Sequence, residues 1–569
     1  MTAPPDPTPP ATPVSSHTSV SPRLWLGLAA LVWLALVVAA LWARPLLPTA
    51  ETRALAVAWE MWRDAGALVP HLNGQPYPHK PPLLYWLINA GWLVLGPLET
   101  WARLVPPLAA AASLVLTVAL GRRLWPGETG RRAGAMAPLL ALGLPLFALF
   151  ATVVLFEMLL AVALLIGLLG LVAAARAPPW RGAWFTGWGL WALGLGLGVL
   201  AKGPVITLML LPAALAGPLW AGRLADGPPH RSWLSWYGAT GLAFAAGAGL
   251  ALAWAIPAGL AGGPDYFNAI LWGQTEGRIT DSFAHRQPLW WYAALSPALF
   301  FPWLLWPPAW RALGRRCLWR DGGARLLAIT GGGALLLFSA ISGKQAYYIV
   351  PLMVPLALLL ARALAGGAGD VRAGRVATVL PAVVLVALGL ALLVADFQLM
   401  AASGTPYPWL PEWLFRGAFV AGWASLALAA ALLFATRGSR RLQALALTLV
   451  GPAVLLILHL TILPQARPAY DTAPAARFLA AAEAAGRPIA RLGEYTGEFH
   501  FPGRLTRPVA EVAEGDGLAW LAAHPGGLLV TMHRRAAEPP AEPLFRGRYR
   551  GRILEIWDAD ALAAAGLDP

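Results

Sequence analysis

The sequence predicts an α-helical polytopic membrane protein with a small soluble α/β domain at its C-terminal end. Three observations lead there. Of its 569 residues, 58% are hydrophobic and 12% charged, whereas ordinary soluble domains carry roughly a quarter charged residues. Apolar runs long enough to cross about 30 Å of hydrocarbon recur up to residue 464. Beyond 465 the composition changes: acidic and basic residues balance and no such run remains. The lone cysteine, Cys317, excludes an internal disulfide and any cysteine-based metal cluster.

Taken in order, residues 1–22 are rich in Pro, Ser and Thr and are expected to be a disordered cytoplasmic tail. Leu24 to Ala43 is a first span without a cationic start or small-residue cleavage site, so it is expected to stay in place. Further spans are expected at 103–121, 133–151, 154–175, 184–201, 203–221 and 234–257. Six more follow at 289–310, 326–342, 346–364, 376–395, 413–435 and 442–463, for about thirteen in all. The apolar stretch 83–97 is short and contains Asn89, which suits a helix lying at the membrane interface. The transmembrane unit thus covers 23–464 and the soluble unit 465–569. Within the latter, the Ala-rich run 472–485 reads as a helix, and 527–532 and 552–557 read as strands.

The net charge of +14 would suggest a nucleic-acid partner in a soluble chain. Here the excess lies in short inter-span loops, at positions such as Arg122, Arg123, Arg131, Arg176, Arg315, Arg325 and Arg362. Basic loops face the cytoplasm, so the N-terminus is expected inside and nucleic acid is not expected as a partner. The outer face then owns a long first loop (44–102), a middle loop (258–288) and the C-terminal domain. Of 42 basic residues only three are lysines, Lys80, Lys202 and Lys344, and all three fall on that outer face.

Ionisable groups at span ends are costly and often functional. Glu51 follows the first span; an acid favoured by the helix N-terminus explains it equally well. His79 and Lys80 precede the interfacial segment. Glu157 opens a span near the outer face, where an Arg partner is the structural alternative. Lys202 lies at an outer turn, with snorkelling as its plain explanation. Lys344, Tyr347 and Tyr348 lie at another outer turn, where interfacial tyrosines are common. The middle loop contributes Glu276, Arg278, Asp281, His285 and Arg286, then the aromatic run from Trp290 to Tyr292. Lysine suits a phosphate at a membrane surface, and flanking acids suit general-base work or stabilisation of a developing sugar cation.

The ordered motifs AETRALAVAWEMW, GQPYPHKPPLLYWLINA, LFEMLLA, LGVLAKGPV, AHRQPLWWY and SGKQAYYIVPLMVPLAL resemble those of ArnT-type and bacterial protein-mannosyltransferase-like GT-C glycosyltransferases. The resemblance covers residues 23–365. It implies a GT-C fold and transfer of a sugar from a polyprenyl-phosphate donor to a cell-envelope acceptor, a lipid A-like glycolipid or a protein. By position it implies donor-site contacts from Lys80, Lys202 and Tyr347 and an outer acid at Glu157. Lys344 and Arg278, cations of the same face, are expected to join the donor-phosphate site, and Glu51 and Glu157 are the expected catalytic acids. His285 matches a histidine that helps bind zinc in ArnT, and His79 stands in place of its acidic partner, so a divalent metal is a candidate cofactor. The family's Asp-Glu pair is here Ala50-Glu51. Three explanations stay open: Glu51 acts alone, the acceptor is a phosphate needing no base, or this member is impaired.

These expectations converge on a bacterial inner-membrane glycosyltransferase with its site on the outer face. The rival is a lipid or sugar transporter, or a flippase. It predicts ionisable groups at the bilayer midplane and a repeat of spans, and the sequence shows neither.

Overall fold

The computed structural model describes residues 21–224, 232–273, 286–365, 378–401, 417–435, 440–533 and 541–566. The predicted tail falls almost wholly outside the described residues. So do Arg278 and His285.

Helix α1 (Pro22–Ala43) starts at Ser21, whose hydroxyl accepts the Leu24 N–H, with Pro22 at the first helical position. The first outer loop folds into α2 (Ala50–Arg63), a two-residue hairpin of β1 (His71–Leu72) and β2 (Gln75–Pro76), and α3 (Leu83–Leu95). In α3, Leu84, Tyr85, Ile88 and Trp92 pack inward while Leu93 and Val94 lie exposed. An apolar outer face of this kind fits the expected interfacial position.

Next come α4 (Glu99–Leu124), α5 (Gly127–Leu142), α6 (Pro145–Phe150), α7 (Glu157–Arg176) and α8 (Gly182–Lys202). Among the described residues ten helices are long and apolar enough to span, or eleven if the pair Val205–Leu215 and Gly217–Arg223, bent by 54°, counts as one. The difference from thirteen lies in three apolar segments that are not continuous helices. Residues 133–151 break at Gly143 and Leu144 and restart at Pro145. Residues 203–221 bend at Ala216. Residues 289–310 divide into Trp291–Leu299, a short turn and Pro307–Leu313. Proline removes an amide donor and clashes with the carbonyl four residues back, so Pro145, Pro218, Pro302 and Pro307 fragment what hydropathy reads as single spans.

Side-chain contacts sort the helix ends into two groups. At one end Arg103, early in α4, bonds the carbonyls of Ala40 and Arg44 after α1, and Arg44 bonds Thr152 just before α7. At the other end Arg176 reaches Leu124, Trp125 donates to Asp321 at 2.6 Å, and Arg362 pairs with Asp321 at 3.1 Å. The broken segments also run from one group to the other. Tyr292 bonds Gln345 at the first end and Arg315 bonds Ala363 at the second. The lysines and the first loop thus share one end, and the arginine-rich turns share the other.

The C-terminal domain holds a five-stranded sheet in the order β4-β3-β5-β7-β6: β3 (Ile489–Leu492), β4 (Ala510–Val512), β5 (Leu528–His533), β6 (Phe545–Tyr549) and β7 (Arg552–Trp557). Strand β3 runs parallel to β4 and β5, while β7 runs antiparallel to β5 and β6, with Val530 opposite Ile556. Alternation puts Val530, Leu554 and Ile556 on one face, against Leu479 of the Ala-rich helix Ala473–Ala484. Leu529 and Trp557 pack on the other face with Leu521 and Leu562.

Candidate active site

The site is built where α7 begins and α8 ends. These two helices pack closely because small residues face each other. A Cβ on Gly187 would fall 2.4 Å from the Ala174 amide nitrogen, and one on Gly194 would fall 2.6 Å from the Ala163 carbonyl oxygen. Small-residue seams let membrane helices approach this closely. Glu157 is the first residue of α7 and Lys202 the last of α8, so each charge complements the dipole of its own helix. Gly203, at φ +80°, ends α8 in a conformation that disfavours a side chain.

Lys202 Nζ donates to Glu157 Oε1. It also lies 4.8 Å from the Tyr347 ring centroid and 4.9 Å from that of Tyr348. Phe150 stacks on Tyr347 at 5.4 Å. Glu157 is 1% exposed, and its Oε2 has no hydrogen-bond partner among the described residues. The lysine is therefore a fixed cation, held by one carboxylate oxygen and two aromatic faces. The second carboxylate oxygen keeps its accepting capacity.

Lys202 also lines a cavity of about 300 Å³ with His79, Pro81, Thr207 and an apolar wall that includes Leu195, Val199, Phe244, Leu252 and Trp254. Leu195 and Val199 come from the second half of α8, and the other three from the helix Trp233–Gly262. Lys80 Nζ lies 5.9 Å from the ring centroid of Phe156, the residue before Glu157. The structure thus gathers Glu157, Lys202 and Tyr347, with His79 on the cavity wall and Lys80 next to the same turn.

Glu51 sits differently. Its carboxylate takes two bonds from Arg44 and the N–H groups of Leu47 and Val154, both at 2.7 Å. Burial alone would raise its pKa, but Arg44, Arg103 and the Leu47 N–H together hold it below the usual carboxylate range. It is 0% exposed and ties α2 to the turn before α7. The acid with an Arg partner is therefore Glu51, while Glu157 pairs with lysine. Lys344 is buried too, but its Nζ donates to the Gln287 carbonyl at 2.7 Å, tying the turn before Tyr347 to the chain leading into residue 291.

For a metal, the geometry gives one placed ligand. His79 packs against Tyr77 at 5.2 Å, and His285 lies outside the described residues. Among the described residues no three His, Cys, Asp or Glu side chains converge, which is short of a zinc site's ligand set. Sequence reading missed Arg44 and Phe156. Arg44 carried a signal, being an arginine directly at the outer end of a span, away from the cytoplasmic clusters.

Comparison with solved structures decides the architecture. The chain aligns with ArnT from Cupriavidus metallidurans at a TM-score of 0.68, covering 95% of this chain and 98% of that one at 19% identity. The fold is that of ArnT. The ArnT structure bound to undecaprenyl phosphate aligns at 0.67 with 20% identity, covering 94% and 97%. No family model matches the chain. In sequence it is similar to undecaprenyl phosphate-alpha-4-amino-4-deoxy-L-arabinose arabinosyl transferase 2 of Pseudomonas fluorescens, at 29% identity over 317 residues, 55% of each chain. Arabinosyl transferase 1 of Sodalis glossinidius, of the same donor name, is 31% identical over 343 residues, 59% of this chain and 58% of the relative. The chain's matches span little more than half the length of these ArnT-type relatives. It is a multi-pass membrane protein with the GT-C architecture of ArnT.

Proposed function

We propose that this protein is a glycosyltransferase that moves a sugar from a polyprenyl-phosphate donor to a cell-envelope acceptor, at the outer face of the bacterial inner membrane. One observation carries the reading: a fixed, desolvated lysine, Lys202, at the wall of a largely apolar cavity of about 300 Å³. An apolar groove ending at a cation suits an isoprenoid chain that ends in a phosphate. The relatives' names, which specify an undecaprenyl-phosphate amino-arabinose, make that pentose the first donor to test.

In the reaction the acceptor oxygen attacks the anomeric carbon as the bond from that carbon to the phosphate oxygen breaks. The bonding pair leaves with the polyprenyl phosphate. Lys202 and Lys80 stabilise the charge that develops there, the electrostatic contribution that usually dominates such steps. Glu157 Oε2, the carboxylate oxygen without a hydrogen-bond partner among the described residues, takes the proton of a hydroxyl acceptor. A phosphate acceptor, already an anion, needs no such transfer. Tyr347 holds Lys202 in place. His79, as a single placed histidine, does not make a metal site by itself.

The test is transfer by the purified full-length protein in lipid nanodiscs, with undecaprenyl-phosphate sugar as donor and an envelope lipid fraction as acceptor. Lys202→Ala and Lys80→Ala should each lower kcat by roughly 10²-fold or more while the protein still inserts and folds. Full activity in both variants would remove the lysines from the reading. Passage of donor across the bilayer without transfer would favour a transporter.

A further inference from the structure

The hairpin of the first outer loop turns at Asn73 and Gly74, at φ +57° and +76°. Both residues are left-handed, as a two-residue turn of this twist requires, and Asn-Gly is the pair that tolerates it. At such a tip an Asn side chain would ordinarily face water. Here both of its polar atoms engage one residue of the C-terminal domain: Nδ2 donates to the Val509 carbonyl at 2.9 Å, and Oδ1 accepts the Val509 N–H at 2.8 Å. On the inner side the Glu60 carboxylate accepts the N–H groups of Asn73 and Gly74 at 2.6 and 2.9 Å. The tip is gripped from both sides.

The chain passes from this hairpin directly into the site. The Tyr77 N–H closes back on Pro70 at 2.7 Å, the Tyr77 ring meets His79 at 5.2 Å, His79 lines the cavity and Lys80 lies against Phe156. Further contacts hold the same two bodies together. Trp59 bonds the Leu505 carbonyl, Trp92 stacks on Phe501 at 5.4 Å, and Arg504 covers the Phe501 ring while bonding the Pro97 carbonyl.

We propose that Asn73 is a positioning residue through which the C-terminal domain fixes His79 and Lys80 at the cavity, so that the donor site is complete only when that domain is docked. The proposal rests on the donor-site reading given above. It assigns the domain a part in donor binding although none of the described residues lining the cavity comes from that domain.

The decisive variant is Asn73→Gly, which keeps the left-handed turn and deletes both cross-domain bonds. In the full-length protein the donor KM should rise roughly threefold or more, because the docked, binding-competent loop becomes a smaller fraction. The kcat should stay within about twofold. Amide exchange across Tyr77–Lys80 should quicken while exchange in the membrane helices does not change. Unchanged KM and unchanged exchange would overturn the proposal, as would an equal loss of kcat and kcat/KM.

A cross-link supplies the rescue. A Cβ on Gly74 falls 3.8 Å from Pro508 Cβ, within disulfide range. Gly74→Cys with Pro508→Cys, added to Asn73→Gly in a Cys317→Ser background, should on oxidation return KM and exchange towards wild type relative to the same variant reduced, which carries equally the strain of a side chain at the Gly74 φ of +76°. Complete cross-linking that left both at the values of the reduced variant would count against the proposal. If the wild-type protein transfers no sugar, the function proposed above fails, and the exchange measurements still decide the role of Asn73.

Discussion

Two buried carboxylates, Glu51 and Glu157, read alike in the sequence and differ in what surrounds them. Glu51 has every acceptor site filled, chiefly by Arg44, so its loss should show first in stability. Glu51→Gln leaves a buried guanidinium without its counter-charge, an arrangement that costs about 3–5 kcal/mol. Thermal unfolding in detergent should register that loss, and replacing both partners, Glu51→Gln with Arg44→Leu, should recover part of it. Recovery would support the structural role; a Glu51→Gln protein of normal stability that transfers nothing would return Glu51 to catalysis. Glu157→Gln likewise leaves the buried Lys202 without its counter-charge and should lower stability, so its readout is turnover by the protein that has folded. With a hydroxyl acceptor, that kcat should fall by roughly 10²-fold or more. Retained turnover would mean that the acceptor is an anion such as phosphate.

At the scale of elements, the α7–α8 seam sets the distance between Glu157 and Lys202, because both sit at the ends of those helices. Gly187→Ala places a methyl group 2.4 Å from the Ala174 nitrogen and should cost roughly 1–3 kcal/mol of overpacking. Gly189→Ala, where the added Cβ meets nothing within 4 Å, is the control. A lower Tm for the first variant alone is the expected result, and equal Tm values would contradict the seam. The apolar segments themselves were legible in the sequence, since hydrophobic length is a property of the chain. Their breaks were partly legible through Pro145, Pro302 and Pro307. Hydropathy averages over a window, however, and a proline lowers that average little while ending a helix outright. The strands at 527–532 and 552–557 were found within a residue or so, because alternation and flanking turns are local signals.

At the scale of the molecule, the first loop and the C-terminal domain enclose a buried cluster that responds to pH. His500 is 1% exposed; it shares a hydrogen bond with Tyr495 at 2.7 Å and faces Glu60 at 3.8 Å, with Arg63 and Glu498 nearby. Burial, with Arg63 adding to it, lowers its pKa from 6.5 to about 4. Above pH 6.5 the ring is neutral in folded and unfolded chains, and there is no penalty. Between pH 6.5 and 4 the unfolded chain binds the proton first, so stability falls as pH falls, by an amount on the order of 3 kcal/mol when complete. Burial raises the pKa of Glu60, which gives a slope of opposite sign. The useful measurement is therefore the difference between wild type and His500→Gln. The wild type should lose more Tm than the variant between pH 7.5 and 5, and parallel curves would exclude His500 as the sensor.

By itself the sequence determined the class of the protein, its apolar segments, and the gathering of its lysines at one end and its arginine turns at the other. These come from transfer free energies and loop charge, which are properties of each stretch of chain. Only the tertiary structure decided which carboxylate meets which cation and which loop meets which domain: Glu157 with Lys202, 45 residues apart, and Asn73 with Val509, 436 residues apart. Buried polar groups are stable only beside a partner that replaces water, and that partner is set by which helices and domains pack together. No local spacing encodes it.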